Sequence, residues 1–189
     1  MKKSMDFGLA FLLLMVSLVI WPFIALAIKM DSKGKVFFTQ ERVGENGKIF
    51  KLIKFRSMIE DAEKEGPVWP HLNDIRITPV GKALRLFHLD ELPQFINIIR
   101  GEMSLVGPRP ERPEFEKELR KTIPLFKLRH KVKPGITGWA QVNYPHVASL
   151  EDSDKKLEYD LYYIKHRSLW FDLKILAKTI TIGKAGNSQ

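Results

Sequence analysis

Asp90 and Glu91 are adjacent carboxylates inside the stretch HLDELPQF (88–95), flanked by apolar Leu89, Leu92 and Phe95. An ionised Asp with cations nearby can attack phosphorus or bind a metal ion. Glu91 is then the natural Mg²⁺ ligand or proton handler, because Mg²⁺ usually takes one or two carboxylates plus substrate phosphates. A purely local role competes. Asp is a favoured N-cap, and Pro is tolerated in a first helical turn. The pattern predicts a helix from Asp90 to Arg100, with Asp90 as its cap, Pro93 in its first turn and Gly101 stopping it. The positive end of such a helix holds Asp90 ionised. The cap and the reactive carboxylate are therefore compatible roles.

Two segments supply cations. KFRSM (54–58) places Lys54 and Arg56 on either side of Phe55, at the end of an expected strand. Side chains at i and i+2 share a strand face. That makes either a phosphate clamp of one point charge and one planar fork, or a solvated basic face. GEMSLVGPRPERPEF (101–115) holds Arg109 between Pro108 and Pro110. Prolines on both sides stiffen the backbone around this cation, which suits a bound anion; a turn with an incidental Arg is the plainer reading. The histidines at 71, 88, 130, 146 and 166 show no i,i+4 pairing, which argues against zinc. His130 reads as structural or phosphate-adjacent. Neither a P-loop nor a Gly-rich dinucleotide fingerprint is present.

The chain has 189 residues, 44% of them hydrophobic, enough for one domain with a core. A formal net charge of +9 points to a polyanionic partner: nucleic acid, anionic lipid or a phosphate-rich small molecule. No nucleic-acid motif is recognisable. The lack of cysteine excludes a disulfide framework and Cys-based zinc sites.

The N-terminal segment carries no charge from Phe7 to Ile28. As a straight helix it would be about 33 Å long, close to one bilayer core. It reads as a spanning helix, a signal peptide or a re-entrant hairpin. Lys2 and Lys3 with Ala25-Leu26-Ala27 resemble a signal n-region and cleavage site, although Asp6 is unusual there. Pro22 breaks or kinks a helix. Lysines lie at both ends (Lys2 and Lys3; Lys29, Lys33 and Lys35), and the positive-inside tendency draws both to the cytoplasmic side. The last two features favour the re-entrant reading.

The elements that must carry the chemistry follow. Residues 36–43 and 48–55 are β-prone and flank Glu45-Asn46-Gly47, a hairpin signal. Residues 59–80 read as a short helix and a surface loop, 81–87 as a short helix, and 111–122 as a charged helix opened by Pro113. Residues 131–143 hold two glycines and a proline and cannot form a regular helix. Residues 149–166 are amphipathic. In 169–184, Leu169, Leu173, Leu176, Ala177 and Ile180 recur at helical spacing. That is a core-facing helix, or an in-plane membrane helix anchored by Trp170 and Phe171 with Lys174, Lys178 and Lys184 toward headgroups.

Four motifs occur in series: FTQERVGENGKIFKLIKFRSM, LDELPQFINIIRGEMSLVGPRPERPEF, RHKVKPGITGWAQVN and KLEYDLYYIKHRSLWFDLKIL. Together they resemble the bacterial sugar transferase family, the monotopic phosphoglycosyl transferases, nearly from end to end. The resemblance implies an α+β fold with a re-entrant membrane helix (1–34) broken at Pro22, a catalytic domain (35–184) with a small β-hairpin and short amphipathic helices at the membrane surface, and a tail (185–189). It implies transfer of a sugar 1-phosphate from a UDP-sugar to polyprenyl phosphate, with release of UMP, as a first membrane step of polysaccharide or glycoconjugate assembly. The implied place is the cytoplasmic face of the bacterial inner membrane, with Mg²⁺ as cofactor, no nucleic acid, and a homodimer left open.

By the same resemblance Asp90 is the nucleophile, and Glu91, with Asp90, serves the metal. Lys54, Arg56, Arg85 and Arg109 hold phosphate. Gln141, in PGITGWAQVN, lies near the nucleotide, and Asp172 matches an acidic position of open role. Many relatives carry an extra N-terminal membrane module, so this sequence reads as a minimal form or as the catalytic part of a longer design. PERPEF resembles the hexose-1-phosphate branch. The rival expectation is a non-catalytic basic protein bound to the membrane surface.

Overall fold

A computed structural model describes residues 1–64, 66, 74–144 and 150–184. Pro22 shapes its N-terminal segment. Proline has no amide proton to give the carbonyl four residues back, and its ring crowds that carbonyl. That residue is Leu18, and helix α1 (Lys2–Leu18) ends there. Helix α2 (Trp21–Asp31) begins with Pro22 in its first turn, bent by 59° from α1. The break lies at Val19 and Ile20, one turn ahead of the proline. No single helix among the described residues is long and apolar enough to cross a membrane; the bent pair together has the composition and length of a broken span or re-entrant loop. Leu12, Val16, Val19, Phe23 and Leu26 around the bend are exposed.

Strands β1 (Phe37–Val43) and β2 (Ile49–Phe55) pair antiparallel, with Phe38 opposite Lys54 and Arg42 opposite Phe50. The expected turn closes them: Asn46 and Gly47 adopt φ of 57° and 76°, a left-handed backbone that these two residue types tolerate. The chain continues through α3 (Pro79–Leu86), α4 (Gln94–Ile99), β3 (Ser104–Val106), α5 (Pro113–Thr122), β4 (Gly135–Thr137), α6 (Trp139–Asn143), α7 (Leu150–His166) and α8 (Leu169–Lys184). β3 and β4 form a parallel pair. Gly135 is required beside it, because a Cβ there would lie 2.1 Å from the Gly107 amide nitrogen.

The two N-terminal helices dock on different parts of the core. Ile24 and Ile28 of α2 pack with Phe55 and Leu84. Ala10 of α1 packs with Ile98, Leu105, Tyr163 and Ile175. Polar groups fix the second contact. Asp6 accepts hydrogen bonds from the Ser104 hydroxyl (2.7 Å) and the Leu105 amide (3.3 Å). Lys2 pairs with Asp172 at 2.6 Å, and the Tyr163 phenol donates to the other Asp172 oxygen at 2.7 Å. Buried carboxylates are tolerated only when paired or hydrogen-bonded, so this node sets where α1 sits.

Three expectations need correction. The segment 131–143, expected to hold no regular helix, ends in the short helix α6 (Trp139–Asn143), which begins directly after Gly138. Residues 60–64 form turns with i→i+3 bonds rather than a short helix, and Glu63 is drawn out of register toward Arg112 (2.8 Å) and Gln40; residues 65 and 67–73 lie outside the described ones. Among the described side chains of α8, Asp172 and Ile175 are buried and Phe171 and Leu176 pack on the core, while Trp170, Leu173 and Ile180 are exposed, so the core-facing reading holds for only part of the expected stripe. Asp172, paired with Lys2 and Tyr163, lies on the buried face beside Ile175.

Asp6→Ala deprives the Ser104 hydroxyl and Leu105 amide of their buried acceptor. The expected loss is about 1–3 kcal/mol, seen as a lower thermal midpoint of the detergent-solubilised protein. An unchanged midpoint would mean that the node does not hold α1.

Candidate active site

The dyad is presented by a reversal of the chain. His88 follows α3 in a left-handed conformation (φ 54°, ψ 22°), and Leu89–Glu91 then form a single 3-10 turn. Helix α4 starts after Pro93 and stops before Gly101 (φ 78°). Asp90 is thus not the cap of a helix. A cap carboxylate accepts from the amides two or three positions on, and the third position here is Pro93, which has none. Among the described residues no hydrogen bond or ion pair reaches the Asp90 carboxylate, although Asp90 is only 7% exposed. Burial, then the neighbouring Glu91 charge, pushes its pKa up; Lys54, Arg85 and Arg109 pull it back. Its charge is therefore balanced by side-chain cations rather than by a helix end.

Those three cations come from three elements. Arg109 donates to Glu91 Oε1 at 2.9 Å. Burial would raise the Glu91 carboxyl, but the charge and hydrogen bond of Arg109 outweigh it and hold the group below its ordinary range. Arg85, in the last turn of α3, is steadied by its Nε donating to the Ser57 hydroxyl at 2.9 Å. Lys54 lies over the Phe38 ring, 5.2 Å from its centroid, and forms no ion pair among the described residues. Burial and the charges of Arg42 and Arg85 lower it to about 8, with Asp90 opposing. A fully buried Asn97 sets the spacing. Its side chain accepts from the Ile53 amide (3.1 Å) and donates to the Lys51 carbonyl (2.8 Å), docking α4 on the strand that carries Lys54.

Arg56 and Gln141 are not brought to the dyad. Arg56 is buried and spends its fork on the carbonyls of Ser32 (2.7 Å) and Lys33, tying the end of α2 to the hairpin. Gln141 donates to the Ile136 carbonyl at 2.8 Å. His130 is buried against Glu116 at 2.8 Å. Arg42, not singled out by sequence reasoning, lies on the Lys54 face of the hairpin and donates to the Pro110 carbonyl at 2.9 Å. Strand alternation from Lys54 across the register would have found it. The signal for Asn97 was a lone amide inside the apolar run QFINII.

Two adjacent carboxylates facing several cations have the charge pattern that polyphosphate chemistry needs. A profile of the bacterial sugar transferase family matches residues 1–185, and the chain belongs to that family. It is 45% identical over 185 residues to the UDP-glucose:undecaprenyl-phosphate glucose-1-phosphate transferase of Escherichia coli (strain K12), covering 97% of this chain and 40% of that protein. It is 47% identical over 156 residues to the UDP-N-acetylgalactosamine-undecaprenyl-phosphate N-acetylgalactosaminephosphotransferase of Aeromonas hydrophila, covering 82% and 37%. An uncharacterized sugar transferase of Bacillus subtilis (strain 168) is 39% identical over 184 residues, covering 95% and 85%. The chain therefore spans less than half the length of the first two relatives.

If Lys54 faces a bound anion, its lowered pKa predicts pH-dependent binding. Affinity for UDP, measured calorimetrically on the free protein, is expected to fall as the pH rises through about 8 and Lys54 loses its proton. Lys54→Arg, whose cation persists, removes that alkaline limb. Equal UDP affinity on both sides of that pH in the wild type would exclude Lys54 from the site.

Proposed function

We propose that this chain transfers a sugar 1-phosphate from a UDP-sugar to undecaprenyl phosphate, giving undecaprenyl-diphosphate-sugar and UMP through a covalent phosphosugar on Asp90. The carrying observation is the Asp90 carboxylate: buried, unbonded and faced by Lys54, Arg85 and Arg109. The Asp90 oxygens accept no protein hydrogen bond among the described residues and still reach solvent, so an incoming phosphorus can approach them. Family membership and the names of the relatives support the same reading.

The reaction balances as two displacements. An Asp90 oxygen attacks the sugar-bearing phosphorus of the UDP-sugar. The bond from that phosphorus to the bridging oxygen breaks, and UMP leaves with the electron pair. An oxygen of the lipid phosphate then attacks the same phosphorus, the bond to Asp90 breaks, and the carboxylate is restored. A diphosphate adds negative charge beside Asp90. Arg109 and Arg85 supply fixed positive charge where the leaving phosphate develops more, and Lys54 does so in its protonated form. Asp90 and Glu91 would be the carboxylates that hold a hard divalent cation, with substrate phosphates and water completing its shell, since among the described residues no larger cluster of His, Asp or Glu is placed to hold one. Bound Mg²⁺ would neutralise phosphate charge there. The Arg109–Glu91 bond holds Glu91 ionised for that purpose.

The same proposal puts the bent α1–α2 pair into one leaflet from the cytoplasmic face of the inner membrane, as a re-entrant element. Exposed Trp170, Leu173 and Ile180 let α8 lie in the interface. The product would enter polysaccharide or glycoconjugate assembly. The relatives' names differ in the sugar, glucose in one and N-acetylgalactosamine in another.

The test is UMP release from a panel of UDP-sugars with undecaprenyl phosphate. Asp90→Asn is expected to lower turnover by roughly 10⁴-fold or more while the protein still folds. Intact mass should show a phosphosugar adduct in the wild type and none in that variant; an adduct that survives removes Asp90 as nucleophile. Glu91→Gln should weaken the Mg²⁺ dependence. No UMP from any donor, together with tolerance of Asp90→Asn, would leave a basic membrane-surface binding protein.

A further inference from the structure

Arg109 is gripped from behind by its own backbone. Four consecutive carbonyls, from Pro108 to Glu111, each accept a hydrogen bond at 2.9 Å. The donors are the Gly135 amide, Arg129 Nη2, Arg42 Nη1 and the Val43 amide. Two are main-chain groups and follow from strand positions. The bond to the Arg109 carbonyl itself comes from Arg129, a residue only 2% exposed.

The Arg129 guanidinium has little freedom. The same Nη2 pairs with Asp160 at 2.7 Å, and Nη1 lies 3.4 Å from Glu111 Oε1. Lys156, one turn before Asp160 on α7, also reaches Glu111 Oε1 at 2.6 Å. Two cations and two carboxylates thus close a buried network behind the GPRP segment. Such networks are poor stabilisers, because desolvation offsets most of their attraction and apolar replacements often do as well. What this network supplies that an apolar core would not is a fixed donor at one carbonyl.

We propose that Arg129 is a positioning residue that holds Arg109 against Glu91 through the Arg109 carbonyl, with Asp160 and Glu111 locking its guanidinium. It touches no reacting atom. The proposal rests on the transferase reading only for what Arg109 does once placed. Lysine cannot replace Arg129, since a single ammonium does not span a carbonyl and two carboxylates with a rigid fork.

The test uses the full chain in detergent with Arg129→Lys and Asp160→Asn. Hydrogen exchange should quicken at the Val43, Gly107 and Gly135 amides, which bond within or to this segment, by more than at the Ile53 amide of the hairpin, while the thermal midpoint falls in Asp160→Asn because a buried charge loses its partner. The value of kcat/KM for the UDP-sugar should fall roughly tenfold to hundredfold. In an Arg109→Ala background the same substitutions should cost little more, because the two residues act as a unit. Unchanged exchange, or full additivity with Arg109→Ala, assigns Arg129 to core filling and overturns the proposal. Should Arg129→Lys not fold, the near-isosteric Asp160→Asn carries both comparisons. If the wild type releases no UMP, the transferase reading falls and the exchange result alone decides the positioning role.

Discussion

Asp90 is a mostly buried carboxylate that accepts no protein hydrogen bond among the described residues, and burial together with the Glu91 charge pushes its pKa up. Lys54, Arg85 and Arg109 oppose that rise and favour its ionised form. Each of those cations belongs to a different element, so the hairpin, α3 and the proline-flanked segment must all dock correctly for one charge to be tolerated. Much of the remaining architecture reads as the means of that docking. Asn97 brings α4 to β2, Ser57 steadies Arg85, and Arg129 takes the Arg109 carbonyl.

The two carboxylates of the dyad occupy different electrostatic settings although they are neighbours in the chain. Glu91 has the Arg109 guanidinium in contact through one hydrogen bond, which holds its pKa below the ordinary value. Asp90 has none in contact and is pushed toward its neutral form by burial and by Glu91. Unequal environments separate the duties of paired acids. The stabilised member suits a constant charge, and the strained one suits bond formation.

Local signals in the sequence were sufficient for the hairpin, whose Asn46-Gly47 turn needs positive φ, and for α5, opened by Pro113. They also picked out the dyad and Arg109, because adjacent acids and a proline-flanked arginine are uncommon patterns. They misled where a tertiary partner decides. Arg56 alternates properly with Lys54, yet the strand ends at Phe55 and its side chain turns to the end of α2. Asp90 fits the cap preference by type, but the missing amide of Pro93 removes the bond that would make it one. The buried face of α8 includes Asp172, whose partner Lys2 lies about 170 positions away and leaves no local signal in the helix's own periodicity. Residues such as Arg129, which act by holding another residue's backbone, leave no local pattern to read.

The apolar elbow between α1 and α2 has both of its feet tethered. Lys2 and Asp6 bind one leg to β3 and α8, and Arg56 binds the end of the other to the hairpin. A bracket fastened at two points cannot slide or swivel relative to what it is fastened to. Under the proposed function the elbow is then a depth gauge: the height of Asp90 above the tip is set by protein geometry. A lipid phosphate must come to that height rather than the site descend to it.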